Sequence, residues 1–313
     1  MGPDIAVIIP TYMRPQKTDR AIRSVMGQSG VRSEIVVVDD ASPEPFRIGR
    51  EFDDAGVHVL RLPQNRGPAA ARDAGVGASR APFIAFLDSD DFFLPDTLAP
   101  RLAALKRASR SDRPVLLAAA VWRWLPGRAA REFRPIEASS VAALASGCWY
   151  FPGSTSLFSR ATWECVGPLD GRLRRLEDLD WGIRLGLAGG MLQVTPEPAS
   201  VIEHSPRAGL AKVSEAAAML LARYSPGGEQ ALERAALSRL KAYLALEQAS
   251  SALGEGRIAG FAANLATSFL HRPRFSLHQG RWWSSRQGTA EELQAIERAA
   301  RSLGTGSPTG TAV

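Results

Sequence analysis

Cysteine is scarce in this sequence of 313 residues, which contains only Cys148 and Cys165. The two match no metal-ligand pattern, so we expect free thiols in a reducing compartment, with a disulfide between them as the alternative. No apolar run approaches the roughly 20 residues of a membrane-spanning helix. The amino-terminal residues also lack the basic and apolar segments of a secretory leader. We therefore expect a cytoplasmic protein.

Glycine-rich phosphate-binding loops are also missing. The stretch "IIPTYMRP", which follows the first predicted strand, contains no G-x-G-x-x-G, and G-x-x-x-x-G-K-[ST] occurs nowhere. A site that binds a diphosphate without such a loop needs another source of positive charge. A divalent cation held by carboxylates would supply it.

The net charge of +6 is unevenly distributed along the chain. Residues 206–313 carry 13 Lys and Arg against 8 Asp and Glu, a balance of +5, which leaves +1 for residues 1–205. Because the basic residues are scattered among acids and no known nucleic-acid motif occurs, we do not expect nucleic-acid binding.

Strand and helix patterns alternate through the first hundred residues. Short apolar runs at 5–10, 34–40, 57–63 and 83–88 predict strands, and the stretches 15–28, 46–54 and 67–79 between them predict helices. Continuous apolar strands separated by helices are typical of a parallel sheet covered on both faces. The fold class is therefore α/β, with a mostly parallel sheet flanked by helices.

Polar residues mark the ends of three of these strands: Thr11-Tyr12, Asp39-Asp40 and Asp88-Ser89-Asp90. Ligands of such sheets bind beyond the carboxyl ends of the strands, so these residues should converge on one crevice. Asp88, Asp90 and Asp91 in "FLDSDD" would repel one another unless a cation neutralises them. We interpret the cluster as a metal site for a nucleotide diphosphate, with a solvated turn as the alternative.

Five motifs, in this order and spacing, resemble family 2 glycosyltransferases of the GT-A fold. They are "VIIPTYMRP", "VVVDDAS", "NRGPAAARDAG", "FLDSDD" and "LEDLDWGIRL", and the resemblance covers about residues 4–205. It implies inverting transfer of a sugar from a nucleotide-sugar, with the Asp-x-Asp motif at Asp88–Asp90 near a divalent metal. The Q-x-x-R-W signature of processive members is missing, which favours a single transfer. Cell-surface polysaccharide biosynthesis is the process that the resemblance suggests.

The resemblance also implies roles for individual residues. Asp178 is the base that takes the proton of the acceptor hydroxyl. Asp90 and His204 are metal ligands, and a carboxylate with an imidazole favours Mn²⁺ over Mg²⁺. Asp40 would face the nucleotide base and accept the N3–H of uracil, which makes a UDP-sugar the first choice. The donor-binding residues are Pro10, Thr11, Tyr12, Arg14, Asp40, Arg72, Asp88 and Ser89, and the acceptor-side residues are Glu177, Trp181, Ser154 and Thr155.

Several of these residues have a simpler structural interpretation. An arginine on a helix, such as Arg72, usually lies on a solvated face, and a lone histidine is seldom a ligand. Asp178 could complement the dipole of the helix that follows it. Ser154 and Thr155 could belong to one more strand. Asp39 could bond backbone amides of its turn, and Asp91 could cap the next helix or turn.

Alanine- and leucine-rich helical patterns occupy the last third of the chain. We predict a transferase domain at 1–205, a helical region at 206–303, whose last helix opens with the capping box Thr289-x-x-Glu292, and a disordered tail at 304–313. Residues 256–290 contain no acid but include several arginines, Trp282 and Trp283. This composition suggests peripheral membrane contact, and the alternative is that the aromatic residues pack on the catalytic domain.

We therefore expect a metal-dependent glycosyltransferase that moves one sugar to a hydroxyl of a glycan or lipid-linked glycan. The alternatives are a non-catalytic sugar-nucleotide-binding or scaffold protein and a nucleotidyltransferase. The latter would normally have a glycine-rich loop after the first strand, which this sequence lacks.

Overall fold

The computed structural model describes residues 2–52, 56–109, 112–126, 129–203, 209–273 and 283–304. Within these residues the strands are β1 (Ile5–Thr11), β2 (Ser33–Asp39), β3 (Val57–Arg61), β4 (Phe83–Phe86), β5 (Phe92–Phe93), β6 (Val115–Leu125), β7 (Ala129–Pro135), β8 (Leu157–Ser159), β9 (Met191–Glu203) and β10 (Trp283–Gln287). The helices are α1 (Pro15–Met26), α2 (Pro68–Ala78), α3 (Leu98–Ala108), α4 (Val141–Leu144), α5 (Pro152–Thr155), α6 (Arg160–Val166), α7 (Glu177–Leu187), α8 (Leu210–Tyr224), α9 (Arg234–Gly254), α10 (Ile258–His271) and α11 (Ala290–Leu303).

The strands form one mixed sheet in the order β10-β7-β6-β8-β4-β1-β2-β3. Strands β4, β1, β2 and β3 are parallel neighbours, so their carboxyl ends lie at one edge. Strand β8 runs antiparallel between β4 and β6. Strand β9 runs parallel to β6, with register shifts near Ala120, and also pairs with β5.

The core lies on both faces of this sheet. Every residue of β1 is buried, because its alternating side chains enter two separate hydrophobic clusters. Ala6 and Ile8 face α2 and the aromatic side chains behind it, whereas Ile5, Val7 and Ile9 face α1. The predicted α/β sheet with buried parallel strands is confirmed.

The predicted helix at 46–54 is wrong for the residues that the structure describes. Only a 3₁₀ turn at Arg50–Phe52 forms, while residues 53–55 lie outside the described part of the chain. Phe46 instead donates its backbone N–H to the Asp39 carboxylate at 3.1 Å, which ties the start of this segment to the end of β2. The apolar residues Phe46 and Ile48 nevertheless pack against the core.

The last third of the chain is helical, as predicted, but its end returns to the sheet. Strand β10 pairs antiparallel with β7, and Ile296 of α11 packs among Phe92 and Trp122. The capping box at Thr289 and Glu292 is confirmed, with both reciprocal hydrogen bonds present. None of the helices described combines the length and the apolar character that a membrane crossing would need. The domain boundary at residue 205 stays a prediction, and residues 305–313 of the predicted tail lie outside the described part.

Candidate active site

The carboxyl ends of β1, β2 and β4 meet in one crevice. Thr11 of β1 accepts the backbone N–H of Asp40 at 2.9 Å, and Leu87 donates its N–H to Ile8 at 3.1 Å. Tyr12 is 41% exposed at this edge. Pro10 is buried, and the Thr11 hydroxyl bonds that of Thr18 at 2.6 Å. Among these residues, Tyr12 therefore offers the side chain with open surface for a ligand.

Asp39 and Asp40 both hold loops of the crevice in place. Asp39 accepts the N–H groups of Ser42 and Phe46 and pairs with Arg61, which matches its structural interpretation. The two carboxylate oxygens of Asp40 accept the N–H groups of Arg66 and Gly67, each at 2.7 Å. Each carboxylate oxygen has a second lone pair that could accept one more hydrogen bond. Contact between Asp40 and a nucleotide base therefore stays a prediction.

Three carboxylates cluster where β4 ends. One oxygen from each of Asp88, Asp90 and Asp91 lies within 4.8 Å of the others. Ser89, between the first two, is buried. Burial raises the pKa of the Asp91 carboxyl well above its usual range, and the charges of Asp88 and Asp90 raise it further. Repulsion among these carboxylates therefore lowers the stability of the folded protein, and a bound cation would remove that repulsion.

A divalent cation fits this set of ligands. Oxygens bound to one such cation at about 2.1 Å lie at most about 4 Å apart, so a small closure of the cluster would suffice. Arg14 pairs with Asp90 at 2.5 Å and remains half exposed, so it can move aside. All three described ligand groups are carboxylates, which Mg²⁺ and Mn²⁺ both accept.

His204, the other predicted metal ligand, lies outside the described residues. The residue before it, Glu203, donates its backbone N–H to Asp91 at 3.0 Å. The Glu203 carboxylate binds Lys17 at 2.5 Å and Arg20 at 2.8 Å. The role of His204 stays a prediction.

The sequence did not reveal how Asp91 and the segment before β8 support this cluster. Asp91 caps no helix: it accepts the Ser154 hydroxyl, which in turn accepts the N–H of Asp88 at 3.1 Å. A Cβ on Gly153 would lie 2.1 Å from an oxygen of Asp88, so any larger residue here would displace that carboxylate. The segment "FPGSTS" has a glycine and hydroxyl residues as its only signal of this role.

Three side chains that we predicted to contact the acceptor are buried in the structure. Ser154 and Thr155 are buried in the short helix α5, and the Thr155 hydroxyl bonds the carbonyl of Tyr150 rather than facing a sugar. Trp181 is buried against Phe158 and Trp163 and donates its indole N–H to Gly167 at 3.0 Å. These residues support the site from within the core.

Arg72 joins the acidic cluster to the predicted base. Its guanidinium is buried and contacts Asp88 at 2.6 Å, Glu177 at 3.2 Å and Asp178 at 3.7 Å. The solvated-face interpretation of Arg72 is therefore wrong. Because a buried arginine cannot lose its proton, it requires these acids as partners, and it fixes their relative positions.

Asp178 lies in the first turn of α7, which begins after Leu176 in the left-handed conformation. Its side chain is 21% exposed. Burial raises the pKa of the Asp178 carboxyl to about 7, the charge of Glu177 adds to this rise, and Arg72 opposes it. A carboxylate with a pKa near neutrality is a far better proton acceptor than an ordinary aspartate. The geometry is therefore suited to general base chemistry beside the acidic cluster.

Comparisons with known proteins identify the family of the chain. Residues 6–161 match the sequence model of "Glycosyl transferase family 2". The chain belongs to glycosyltransferase family 2. Succinoglycan biosynthesis protein ExoO of Rhizobium meliloti (strain 1021) is 42% identical over 97 residues, which cover 31% of this chain and 28% of that protein. The pre-mycofactocin glycosyltransferase of Mycobacterium tuberculosis (strain ATCC 25618 / H37Rv) is 30% identical over 227 residues, 66% of this chain and 44% of that protein. This family 2 chain thus spans less than half the length of these two relatives.

A solved structure confirms the fold of this family 2 chain. The crystal structure of S. aureus TarS 1-349 in complex with UDP-GlcNAc aligns with a TM-score of 0.57 and 16% identity. The alignment covers 96% of this chain and 88% of that one. The likeness confirms the predicted GT-A-type fold.

The helix that carries Asp178 in this family 2 chain is tied to the C-terminal helices through Asp180. Asp180 is fully buried, and its carboxylate accepts Arg223 at 2.6 Å, Tyr224 at 2.8 Å and Arg184 at 2.9 Å. Arg223 and Tyr224 end α8, so the C-terminal region holds the first turn of α7 from behind. The sequence contained no pattern that pairs these distant positions.

We expect Tyr224→Phe to lower the free energy of unfolding by roughly 1–3 kcal/mol, because it removes a hydrogen bond to a buried charge. Tyr243→Phe is the matched control: its hydroxyl donates to Glu247 at 2.7 Å, but that carboxylate is partly exposed, so water can replace the bond. Urea denaturation of both variants measures the difference. Equal losses would show that the Asp180 network contributes no more than a partly exposed pair.

Proposed function

We propose that this chain transfers one sugar, with inversion, from a nucleotide-sugar to a hydroxyl of an acceptor. The observation that carries the proposal is the buried Arg72, which joins Asp88 of the donor-side cluster to Asp178, a carboxyl with a pKa of about 7. The reaction needs two parts: carboxylates that can hold a cation beside the donor, and a proton acceptor near them. Membership of family 2 supports the same reaction.

The protein groups divide the chemistry between them. In the proposed step the acceptor oxygen attacks the anomeric carbon from the face opposite the diphosphate. Asp178 takes the hydroxyl proton as the new C–O bond forms and the bond to the diphosphate breaks. Asp88, Asp90 and Asp91 would hold a divalent cation, which would stabilise charge on the departing nucleoside diphosphate. Arg72 holds Asp178 at a fixed position relative to that cluster.

The proposed donor is a UDP-sugar. The solved structures of TarS contain UDP and UDP-GlcNAc, and this chain shares their fold. Tyr12 is exposed at the crevice, where it could stack on a base, and Asp40 lies at the end of the neighbouring strand. Mn²⁺ remains the proposed metal because of His204, since the described carboxylates alone suit Mg²⁺ equally well.

The proposed acceptor is a glycan or lipid-linked glycan at the inner face of the cell membrane. One relative takes part in succinoglycan biosynthesis, and this supports a role in polysaccharide assembly. The missing Q-x-x-R-W signature supports a single transfer. Cytoplasmic localisation and membrane contact through residues 256–290 stay predictions.

A panel of nucleotide-sugars tests the donor. We expect UDP-sugars with Mn²⁺ to raise the melting temperature by several degrees, because a ligand at 100 times its Kd adds about 2.7 kcal/mol to stability. Slow metal-dependent hydrolysis of the same donor should accompany the shift. Stabilisation by GDP- or dTDP-sugars alone would refute UDP as the donor nucleotide and identify the other nucleotide in its place. If no nucleotide-sugar stabilises the chain and none is hydrolysed, the proposed reaction is refuted and the scaffold alternative is favoured.

A further inference from the structure

A second group of polar side chains lies near Asp178, outside the residues that the proposed reaction uses. Arg175 belongs to the loop that leads into α7, and Glu247 belongs to α9 of the C-terminal region. Nη2 of Arg175 and Oε2 of Glu247 are 3.9 Å apart. The Arg175 side chain is half exposed and the Glu247 side chain is 24% exposed, so both reach the surface. We call these two residues the Arg175–Glu247 pair.

The pair shares its surroundings with the proposed base. Arg175 is three residues before Asp178, so their Cα atoms are at most about 11 Å apart. Burial acts to lower the pKa of the Arg175 guanidinium, but the neighbouring charges, among them those of Glu247 and Asp178, outweigh it and raise that pKa. Burial raises the pKa of the Cys148 thiol well above its ordinary value, and the charges of Asp178 and Glu247 raise it further. Because charge effects of this kind reach roughly 10 Å, the pair and Asp178 lie close together.

The distance within the pair leaves hydrogen-bonding capacity for a further group. A separation of 3.9 Å is too long for a direct hydrogen bond. The Tyr243 hydroxyl donates to Oε1 of Glu247 at 2.7 Å, which orients the carboxylate. A hydroxyl group that accepts an N–H at about 2.9 Å and donates to a carboxylate at about 2.7 Å joins two atoms that are roughly 4 Å apart. The gap between Arg175 and Glu247 therefore has the size that one bridging hydroxyl group fills.

A purely structural role explains the pair poorly. Ion pairs with this degree of exposure add little stability. Helix α9 is already held by apolar contacts, since Leu240 and Leu244 belong to the same hydrophobic cluster as Leu179 and Ile183 of α7. The polar pair is therefore not needed to join these two helices.

We propose that the Arg175–Glu247 pair binds the acceptor sugar beside Asp178. One hydroxyl of the sugar accepts a hydrogen bond from Arg175 and donates one to Glu247. A neighbouring hydroxyl then meets Asp178, which takes its proton. This inference rests on the proposed transfer, because it names the residues that bind the acceptor of that reaction.

The charges around this position favour an uncharged acceptor sugar. The carboxylates of Glu177, Asp178 and Glu247 outnumber the guanidinium groups of Arg72 and Arg175. A sugar that carries its own carboxylate would be repelled here, whereas the hydroxyl groups of a neutral sugar can both accept and donate. We therefore expect a neutral sugar at the end of the acceptor that receives the transferred sugar.

Saturation-transfer NMR with simple glycosides tests this proposal without any transfer of sugar. The probes are the uncharged methyl β-glucoside, methyl β-galactoside and methyl β-N-acetylglucosaminide, and the anionic methyl β-glucuronide, each measured with and without UDP and Mn²⁺. We expect the wild-type chain to bind at least one uncharged glycoside. Arg175→Gln and Glu247→Gln should each raise the Kd of that glycoside about tenfold or more, because each removes a hydrogen bond to a charged group. The glucuronide should bind more weakly than the glucoside.

Glu297→Gln and Arg301→Gln are the matched controls. Glu297 and Arg301 form a similar pair in α11, 3.8 Å apart, and the Glu297 side chain is 26% exposed. Helix α11 lies beside the last turn of α1, where Arg23 donates to the Leu303 carbonyl at 2.7 Å, away from the start of α7. Both controls should bind the glycoside like the wild type. Melting curves should show that all four variants are folded.

Three results would overturn the proposal. The first is a wild-type chain that binds none of the uncharged glycosides. The second is an unchanged Kd in Arg175→Gln and Glu247→Gln, which would leave the pair a structural contact. The third is a glucuronide that binds as tightly as the glucoside, which would refute the uncharged acceptor. Failure of the proposed reaction would be seen separately, as a chain that binds a glycoside through the pair but transfers no sugar to it.

Discussion

Asp178→Asn is expected to reduce turnover by roughly a hundredfold or more while UDP binding persists. The substitution keeps the size of the side chain and its place in the first turn of α7, but it removes the proton acceptor, whose usual contribution is of this size. Measurements of kcat with a UDP-sugar donor, and calorimetry of UDP binding, separate the two effects. Near-normal turnover would show that Asp178 is structural, and lost UDP binding would place it in the donor site.

The same variant should change stability in the opposite direction to activity. The pKa of Asp178 is raised from about 4 to about 7, so the folded protein binds a proton that the unfolded chain releases. Stability from this group is therefore full at low pH and lost as pH rises towards 7. At pH 8, Asp178→Asn should increase the free energy of unfolding by up to about 4 kcal/mol, and this gain should shrink as the pH falls towards 4.

Asp170→Asn is the matched control for this change. The side-chain hydrogen bond from Arg172, together with the one from Arg223, holds the pKa of the Asp170 carboxyl well below its usual range. Its charge therefore stabilises the fold above the usual carboxyl pKa, so the substitution should lower the melting temperature at pH 8.

In the wild type, turnover should rise with pH through about 7 as Asp178 loses its proton. A flat pH profile would contradict its role as base.

Local sequence patterns predicted the parts of the fold that depend on local chemistry. The buried strands β1 and β2 were recognisable because both faces of a covered parallel sheet are apolar, and their carboxyl ends necessarily lie at one edge. The capping box at Thr289 was recognisable because its hydrogen bonds join residues three apart. The acidic cluster was predictable for the same reason, since its members are adjacent in sequence.

Contacts between distant segments could not be read in this way. Nothing near Gly153 or Ser154 indicates that Asp88 and Asp91 will pack against them. The polar segment "WSSRQ" of β10 pairs with β7 although about 150 residues separate them, and too few of its residues are apolar to predict a strand. From the sequence, Arg72 resembles a surface arginine, because its three acidic partners lie in two other segments of the chain. Burial of a charged group depends on its partners, so sequence position alone does not reveal it.

Asp90→Ala should abolish Mn²⁺-dependent binding of UDP and leave the fold intact. The Asp90 side chain is buried at the crevice and pairs with the half-exposed Arg14. Its charge also raises the pKa of Asp91, so removal relieves repulsion within the cluster. Asp4→Ala is the matched control, because Asp4 pairs with Arg32 at 2.9 Å beyond the other end of β1. Calorimetry of UDP binding with and without Mn²⁺ should show metal dependence in the wild type and the control, and none in Asp90→Ala. Undiminished metal dependence in Asp90→Ala would remove Asp90 from the metal site, whereas its absence from the wild type would refute the metal site itself.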